Sequence, residues 1–252
     1  MRLNCAEALL ECLREQGVDT IFGYPGGTVI NIYDALYERK DITHILTAHE
    51  QGAAHAADGY ARATGKVGVV LATSGPGAAN TVTGIATASR DSVPMVVITG
   101  QVARSLLGKD SFQELNITSI TKTITKKNYL VMNPETLPKI VREAFEIARS
   151  GRPGPVLIDV PKDVQIAKCE YEPQPPVEKA EPFTAKDIRI IEAAKLINAA
   201  KRPYIYFGGG LITANAQAEM LGIAEKTDAY IGCSLMGLSA IPTDHPRFLG
   251  MQ

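Results

Sequence analysis

The chain alternates short apolar runs with segments of helical period through residues 1–160. Val69-Val70-Leu71 and Met95-Val96-Val97-Ile98 are apolar at consecutive positions, which is typical of parallel strands buried on both faces. Between such runs, apolar residues recur at helical spacing and glycines close the segments, as Gly17 does after the first one. This pattern predicts an α/β fold with a doubly wound, mostly parallel sheet.

The predicted elements follow one another at short intervals. Strands are predicted at residues 18–22, 43–48, 67–73, 95–99 and 156–160. Helices are predicted at residues 4–16, 29–38, 50–64, 78–89 and 134–148. The stretch from residue 100 to about residue 129 shows no regular period and is predicted to be irregular.

A proline-rich segment divides the chain. Residues 168–183 contain four prolines and charges of both signs, so residues 167–183 are predicted to form a stiff linker after a first domain at 1–166. A second α/β series occupies residues 184–252, with helices at 185–199 and 213–226 and strands at 204–207 and 230–233. Two strands are too few to close a doubly wound sheet, so this second domain is predicted to be incomplete.

The composition indicates the class of the protein and the compartment in which it is expected. The 252 residues are 45% hydrophobic and 21% charged with a net charge of −1, as expected for a globular protein that buries a sizeable core. Acids and bases are interspersed, so neither nucleic acid nor a membrane surface is expected as a partner. The N-terminus has no apolar signal region, and no apolar run is long enough for a transmembrane helix. Four cysteines without a CxxC pair predict reduced thiols and a cytoplasmic location.

Three loops are predicted at the carboxyl ends of strands, where parallel sheets bind ligands. They are Gly23-Tyr24-Pro25-Gly26-Gly27, the strand-to-helix turn at Glu50, and Ser74-Gly75-Pro76-Gly77. Glycines allow backbone amides to approach a ligand closely, and Glu50 is the one carboxylate shared by these loops. The pattern suits a flat ligand held mostly by backbone.

Simpler interpretations remain open at this stage. Glu50 could only complement the dipole of the alanine-rich helix that follows it, and the glycine turns could be plain tight turns. A zinc helix of the HExxH type is excluded because Ala53 stands where the second histidine is needed, so no metal ligands are predicted. Neither GxGxxG nor GxxxxGK[ST] occurs, which disfavours a nicotinamide dehydrogenase.

At these same loops the chain resembles the large subunits of acetolactate (acetohydroxyacid) synthases, a family of thiamine-diphosphate enzymes. The resemblance is collinear along the whole chain. It is carried by Phe22-Gly23-Tyr24-Pro25-Gly26-Gly27, His49-Glu50-Gln51-Gly52-Ala53, Asp58-Gly59-Tyr60-Ala61-Arg62, Ser74-Gly75-Pro76-Gly77-Ala78-Ala79-Asn80, Ser111-Phe112-Gln113-Glu114 and Ser150-Gly151-Arg152-Pro153-Gly154-Pro155-Val156. It implies a pyrimidine-binding domain at 1–166 and part of a central, FAD-associated domain at 184–252.

The resemblance also implies a reaction and roles for individual residues. The family decarboxylates pyruvate and joins the product to a second 2-keto acid in branched-chain amino acid biosynthesis. Glu50 matches the catalytic glutamate that hydrogen-bonds N1′ of the cofactor's aminopyrimidine. Positions that match further thiamine-diphosphate contacts are Pro25, Gly26, Thr73, Pro76, Asn80 and Gln113. Positions that match the substrate channel are Gly27, Thr28, Phe112, Gln113 and Lys162. Positions that match FAD-binding segments are Arg152, Gly208, Gly209, Gly210, Ser234, Leu235 and Met236.

The sequence departs from the family pattern in two respects. Thr28 and Ala103 stand where the family often has alanine and proline, which leaves the acceptor 2-keto acid open. No GDG motif occurs, so Mg²⁺ and the diphosphate are expected to be held by a domain absent here, and this chain alone is expected to be inactive. The resemblance further implies a homodimer or tetramer and, in some members, a regulatory small subunit.

Other functions remain as alternatives. Pyruvate oxidase and the FAD-free catabolic acetolactate synthase belong to the same superfamily and would use the same loops. A non-catalytic assembly module is a further alternative, although a scaffold has no need of Glu50 at a cofactor turn.

Overall fold

A computed structural model describes residues 1–177 and 185–252. The described residues form two compact units, one on each side of the undescribed segment. The predicted linker, 167–183, falls partly on that segment, and this part lies outside the described residues. None of the described helices combines the length and the apolar character that crossing a membrane requires.

The strands are short, as in most parallel sheets. In chain order they are β1 (Arg2–Asn4), β2 (Thr20–Tyr24), β3 (Thr43–Leu46), β4 (Gly68–Ala72), β5 (Met95–Gln101), β6 (Lys127–Leu130), β7 (Pro155–Pro161), β8 (Lys168–Glu170), β9 (Tyr204–Phe207), β10 (Tyr230–Cys233) and β11 (Phe248–Met251).

Helices separate most of these strands. The α-helices are α1 (Cys5–Glu15), α2 (Ile30–Tyr37), α3 (Glu50–Thr64), α4 (Pro76–Asn80), α5 (Val82–Asp91), α6 (Ile117–Thr121), α7 (Leu137–Arg149), α8 (Lys162–Ile166), α9 (Asp187–Ala199), α10 (Gly210–Thr213) and α11 (Gln217–Thr227). Short 3₁₀ turns lie at Arg104–Leu106, Pro134–Thr136 and Leu235–Gly237.

The first unit contains a six-stranded parallel sheet in the order β3-β2-β4-β5-β7-β6. Helices cover both faces. One core packs α1, α2 and α7 against side chains such as Val69 and Ile98, and the other packs α3, α5 and α6 against side chains such as Val70 and Val97. Consecutive apolar residues in β4 and β5 therefore serve two different cores, and the predicted doubly wound α/β class is confirmed.

Helix α3 begins and ends where its sequence predicts. The His49 side chain caps its first turn by accepting a hydrogen bond from the backbone N–H of Gln51. Gly65 ends the helix in the left-handed conformation, with φ of 71°, which glycine adopts without strain. Alanines along the helix allow close packing: Gly84 of α5 faces Ala54 with no room for a Cβ atom. The helix therefore lies close to the sheet and to its neighbour.

Several short elements were not predicted. Strand β6 forms the sheet edge within the stretch predicted to be irregular, because Lys127-Asn128-Tyr129-Leu130 pairs with β7 without being an apolar run. Strand β8 pairs with β1, so the beginning of the predicted linker is attached to the first unit. The next residue, Tyr171, is buried and donates from its hydroxyl to Glu15 at 2.7 Å.

The second unit contains a three-stranded parallel sheet in the order β11-β10-β9. The sequence predicted β9 and β10 but missed β11, whose segment Phe248–Met251 contains a glycine at φ of 90°. Its core is small and includes Phe207, Ile231 and Ile241.

Candidate active site

The Glu50 side chain lies at the carboxyl-end edge of the first sheet. As the first residue of α3, it is only 8% exposed. Its Oε2 accepts a hydrogen bond from Asn80 Nδ2, at the end of α4, at 3.0 Å. This bond joins two loops that are 30 residues apart in the sequence and fixes the direction of the carboxylate.

Two glycines allow the backbone to pack closely against Thr73 and, at Gly77, against this carboxylate. A Cβ atom added at Gly77 would lie 3.0 Å from Glu50 Oε1 and 2.6 Å from Thr73 Cγ2. A Cβ atom added at Gly26 would lie 2.5 Å from Thr73 Cβ. The glycine loop after β2 and the turn after β4 therefore meet at Thr73, and both need to be free of side chains at these two positions.

Thr28 ties the same two loops together through its side chain. Its Oγ1 lies 3.0 Å from Thr73 Oγ1 and accepts the backbone N–H of Ser74 at 3.0 Å. Gln165, on α8, donates to the backbone oxygen of Thr28 at 2.7 Å. A residue without a hydroxyl at position 28 would lose the side-chain bonds but not the bond from Gln165.

The loop Ser111–Leu115 packs beside the turn after β4. A Cβ atom added at Gly75 would lie 2.8 Å from the backbone oxygen of Gln113, whose φ is 59°. Glu114 shapes the loop by accepting the backbone N–H groups of Gly108 and Ser111. The Phe112 side chain is 88% exposed, so it lies outside the core of this domain and is free to contact other groups.

The structure brings most of the residues predicted for the cofactor and the substrate to one edge of the sheet. Pro25, Gly26, Gly27 and Thr28 follow β2; Thr73 and Pro76 follow β4; Asn80 contacts Glu50 directly; and Gln113 packs on Gly75. Lys162 is exposed and begins α8, after β7. These roles stay predictions, since position alone does not establish what a side chain binds.

Arg152 lies elsewhere in the first unit. It precedes β7, at the amino end of the strands, where its guanidinium donates to Ser92 Oγ at 2.6 Å and to the backbone oxygen of Arg90 at 2.8 Å. The structure therefore does not place Arg152 beside Glu50.

The remaining residues predicted for FAD belong to the second unit, where they face one another. Gly208–Gly210 follow β9 and Ser234–Met236 follow β10. A Cβ atom at Gly208 would lie 3.2 Å from Ser234 Oγ, and one at Gly209 would lie 3.1 Å from the backbone oxygen of Met236. These two turns at the ends of adjacent parallel strands form the edge at which such sheets bind ligands.

Sequence reasoning missed two buried polar groups of the first unit. Asp159 in β7 is 1% exposed and accepts hydrogen bonds from Thr99 Oγ1 at 2.7 Å and from Gln101 Nε2 at 2.9 Å. Burial raises the pKa of Asp159 to about 7, against the lowering effect of these two hydrogen bonds. The sequence did offer a signal for this group, because Asp159 is a carboxylate within an otherwise apolar strand.

The second missed group lies below the glycine loop after β2. Tyr33 on α2 places its hydroxyl 3.1 Å from His44 Nε2 and 3.5 Å from the backbone oxygen of Leu71. Burial raises the pKa of Tyr33, and the charge of Glu50 raises it further. Burial lowers the pKa of His44. Both side chains are therefore neutral near pH 7, which suits a site that surrounds one carboxylate.

Two family models match this chain. The model of the thiamine pyrophosphate enzyme N-terminal TPP binding domain matches residues 3–120, and the model of the central domain of the same enzymes matches residues 190–252. Together with the α/β fold, these matches give the class of protein. The chain belongs to the thiamine pyrophosphate enzyme family.

Individual relatives narrow the comparison. The chain is 51% identical to an acetolactate synthase of Arthrospira platensis, over 99% of the chain and 45% of that protein. It is 50% identical to a probable acetolactate synthase large subunit of Methanocaldococcus jannaschii, over 98% of the chain and 42% of that protein. It is 46% identical to the acetolactate synthase isozyme 2 large subunit of Escherichia coli (strain K12), over 99% of the chain and 45% of that protein. The chain spans less than half the length of these relatives.

Proposed function

We propose that this chain forms the pyrimidine-binding part of a thiamine-diphosphate-dependent acetolactate synthase. The reaction is the decarboxylation of pyruvate and the joining of the remaining two-carbon unit to a second 2-keto acid. The observation that carries the proposal is the Glu50 carboxylate, which is buried, accepts a hydrogen bond from Asn80 and lies against the close-packed backbone of Gly77. The similarity to acetolactate synthases along the whole chain supports it.

The residues at this edge fit an aminopyrimidine ring. A flat ring needs one carboxyl group directed at a ring nitrogen, which Glu50 provides, and backbone without side chains beside it, which Gly26 and Gly77 provide where they pack closely on Thr73. When bound, thiamine diphosphate supplies the carbon nucleophile that a carboligase needs. Glu50 holds a proton at the ring nitrogen and Asn80 keeps its carboxyl group in place. Thr73 and Pro76 border the ring, and Gln113 borders its approach.

The substrate side of the site is proposed to consist of the residues that are expected to meet the two keto acids. They are Gly27, Thr28, Phe112 and Lys162. The exposed Lys162 ammonium and the exposed Phe112 ring suit the carboxylate and the aliphatic part of a 2-keto acid, respectively. Thr28 acts differently from an alanine at this position, because its hydroxyl is engaged by Thr73 and Ser74.

Two further cofactors belong to the proposal. The facing turns Gly208–Gly210 and Ser234–Met236 are proposed to hold FAD through backbone groups and the Ser234 hydroxyl. Arg152 is proposed separately, from the resemblance, as a flavin-binding residue that uses its guanidinium. Among the described residues no cluster of three His, Cys, Asp or Glu side chains could hold a metal ion. From the resemblance, Mg²⁺ and the phosphates of thiamine diphosphate are proposed to be held by a different domain of the enzyme from the pyrimidine-binding one.

The assembly is proposed to be a cytoplasmic homodimer or tetramer. One relative is named a large subunit of an isozyme, which supports a small-subunit partner for this protein as well. The cysteines Cys5, Cys12, Cys169 and Cys233 are free and buried, which is compatible with a reducing compartment.

This proposal is tested by identifying the reaction product that the full-length protein forms from pyruvate. The protein is supplied with thiamine diphosphate, Mg²⁺, FAD and pyruvate, and both acetolactate and acetyl phosphate are measured. Acetolactate as the main product is expected. Acetyl phosphate in the presence of phosphate and oxygen would indicate a pyruvate oxidase, and no product would favour an assembly module.

A further inference from the structure

Gln101 lies at the end of β5 and is 3% exposed. Its Nε2 donates to the backbone oxygen of Leu115 at 2.7 Å and to Asp159 Oδ2 at 2.9 Å. Its Oε1 accepts the backbone N–H of Val102 at 2.9 Å. Every polar atom of this amide is therefore used, and a flipped amide would place its oxygen between two acceptors.

Leu115 ends the loop that carries Phe112 and Gln113. The bonds of Glu114 to Gly108 and Ser111, and the bond from Ser111 Oγ to Leu106, stay within residues 106–114. They give the loop its shape without attaching it to the sheet. The bond from Gln101 attaches it to β5, and through Asp159 to β7.

We propose that Gln101 is a positioning residue, which fixes the loop Ser111–Leu115 against the buried Asp159 carboxylate and so sets one wall of the Glu50 site. This inference rests on the function proposed above. The path is short: Gln101 holds Leu115, Gln113 packs on Gly75, and the turn that Gly75 begins brings Gly77 against Glu50.

Only an amide meets the demands of this position. Two acceptors, Leu115 O and Asp159 Oδ2, face the same nitrogen, and one donor, Val102 N–H, faces the oxygen. A methionine fills a similar volume but donates no hydrogen bond. A glutamate brings a second carboxylate to Asp159 and cannot donate to Leu115 when ionised. Thr99, which is fully buried, satisfies the other oxygen of Asp159.

The test uses Gln101→Met in the full-length protein, with two measurements. Amide hydrogen exchange of residues 106–115 is expected to become at least about tenfold faster, because a buried anchor is lost. The kcat/KM for pyruvate is expected to fall at least about tenfold, as when a positioning contact is lost.

Two variants serve as controls. Gln16→Met also replaces a buried glutamine, one that accepts the backbone N–H of Val177 far from the loop. It is expected to leave both the loop exchange and kcat/KM within about twofold. Asp159→Asn keeps an oxygen that accepts from Gln101, so the loop exchange is expected to stay within about twofold. If Gln101→Met does not fold, Gln101→Asn, which keeps the amide on a side chain one methylene shorter, provides the same test.

The outcomes separate this inference from the proposed function. Faster loop exchange together with lower kcat/KM, with neither change in Gln16→Met, supports the positioning role. Unchanged loop exchange, or faster exchange with unchanged kcat/KM, overturns it. A wild-type protein that forms no acetolactate overturns the proposed function, while loop exchange still decides whether Gln101 anchors the loop.

Discussion

Asn80 donates a hydrogen bond from Nδ2 to Oε2 of Glu50 at 3.0 Å. Asn80 ends α4, whereas Glu50 begins α3, so the bond holds the carboxylate from a neighbouring element. The second carboxylate oxygen, Oε1, lies against Gly77, where an added Cβ atom would come within 3.0 Å of it. The function proposed for Glu50 is therefore expected to depend on Asn80.

Replacing Asn80 with alanine removes this donor. A hydrogen bond to a charged group contributes roughly 1.5–3 kcal/mol, so Asn80→Ala is expected to lower kcat for acetolactate formation by about 10- to 100-fold. The assay is run at saturating thiamine diphosphate in the full-length protein. Asn128→Ala is the control, since Asn128 is half-buried at the sheet edge and donates to Thr118 O. A kcat reduced equally in both variants would remove the special role of Asn80.

The close packing of Gly77 against Glu50 gives a second prediction. In Gly77→Ala the new methyl group meets Thr73 Cγ2 at 2.6 Å and Glu50 Oε1 at 3.0 Å, so the carboxylate has to move. Activity is expected to fall by about 100-fold, as for a reacting group displaced by about 1 Å. The matched control is Gly52→Ala on α3, where a Cβ atom meets nothing within 4 Å. Wild-type kinetics in Gly77→Ala would show that the close contact of Gly77 with Glu50 and Thr73 is not needed.

The fold was largely predictable because its signals are local. The apolar runs of β4 and β5 and the glycine that ends α3 each lie within or next to one element. Strand β6 was not predictable, because Lys127 and Asn128 are polar and the strand exists only through its pairing with β7.

The candidate site was predictable in its loops but not in its contacts. The glycine turns and Glu50 stand out in the sequence, since their residue types restrict what the backbone can do there. The bonds from Asn80 to Glu50 and from Gln101 to Asp159 join positions 30 and 58 residues apart. Such pairs depend on strand order and register, which cannot be read from a single sequence.

Arg152 gives a prediction about flavin. If its guanidinium binds FAD, Arg152→Ala is expected to weaken FAD binding by the full-length protein at least about tenfold while the protein stays folded. Flavin fluorescence titration measures the affinity. Ser92→Ala is the control, because it removes the bond to Arg152 Nε but keeps the guanidinium. Equal FAD affinity in Arg152→Ala and wild type would exclude Arg152 from the flavin site.

Asp159 gives a prediction about pH. Its pKa in the folded protein is raised from 3.8 to about 7, so between these values the folded state binds a proton that the unfolded state has lost. Its contribution to the free energy of unfolding therefore falls as the pH rises to about 7 and is constant above. Relative to Asp159→Asn, wild type is expected to lose up to about 1.4 kcal/mol per pH unit between pH 5 and about 6.5.

The difference between these two proteins isolates Asp159. His44, whose pKa is lowered by burial, has the opposite pH dependence but is present in both. Urea unfolding at pH 5, 6, 7 and 8, followed by hydrogen exchange in peptides of β5 and β7, measures the difference. A difference that does not change with pH would mean that Asp159 is ionised throughout this range in the folded protein.

The role of Glu50 is the central claim, and proton exchange at C2 of bound thiamine diphosphate measures it most directly. Glu50→Gln keeps the size of the side chain and the possibility of a bond with Asn80, but it cannot share a proton with the ring nitrogen as a carboxyl group does. In the full-length protein we expect C2–H exchange, followed by quenched-flow NMR, to slow by at least about 100-fold with the fold unchanged. An exchange rate equal to that of the wild type would contradict the assignment of Glu50.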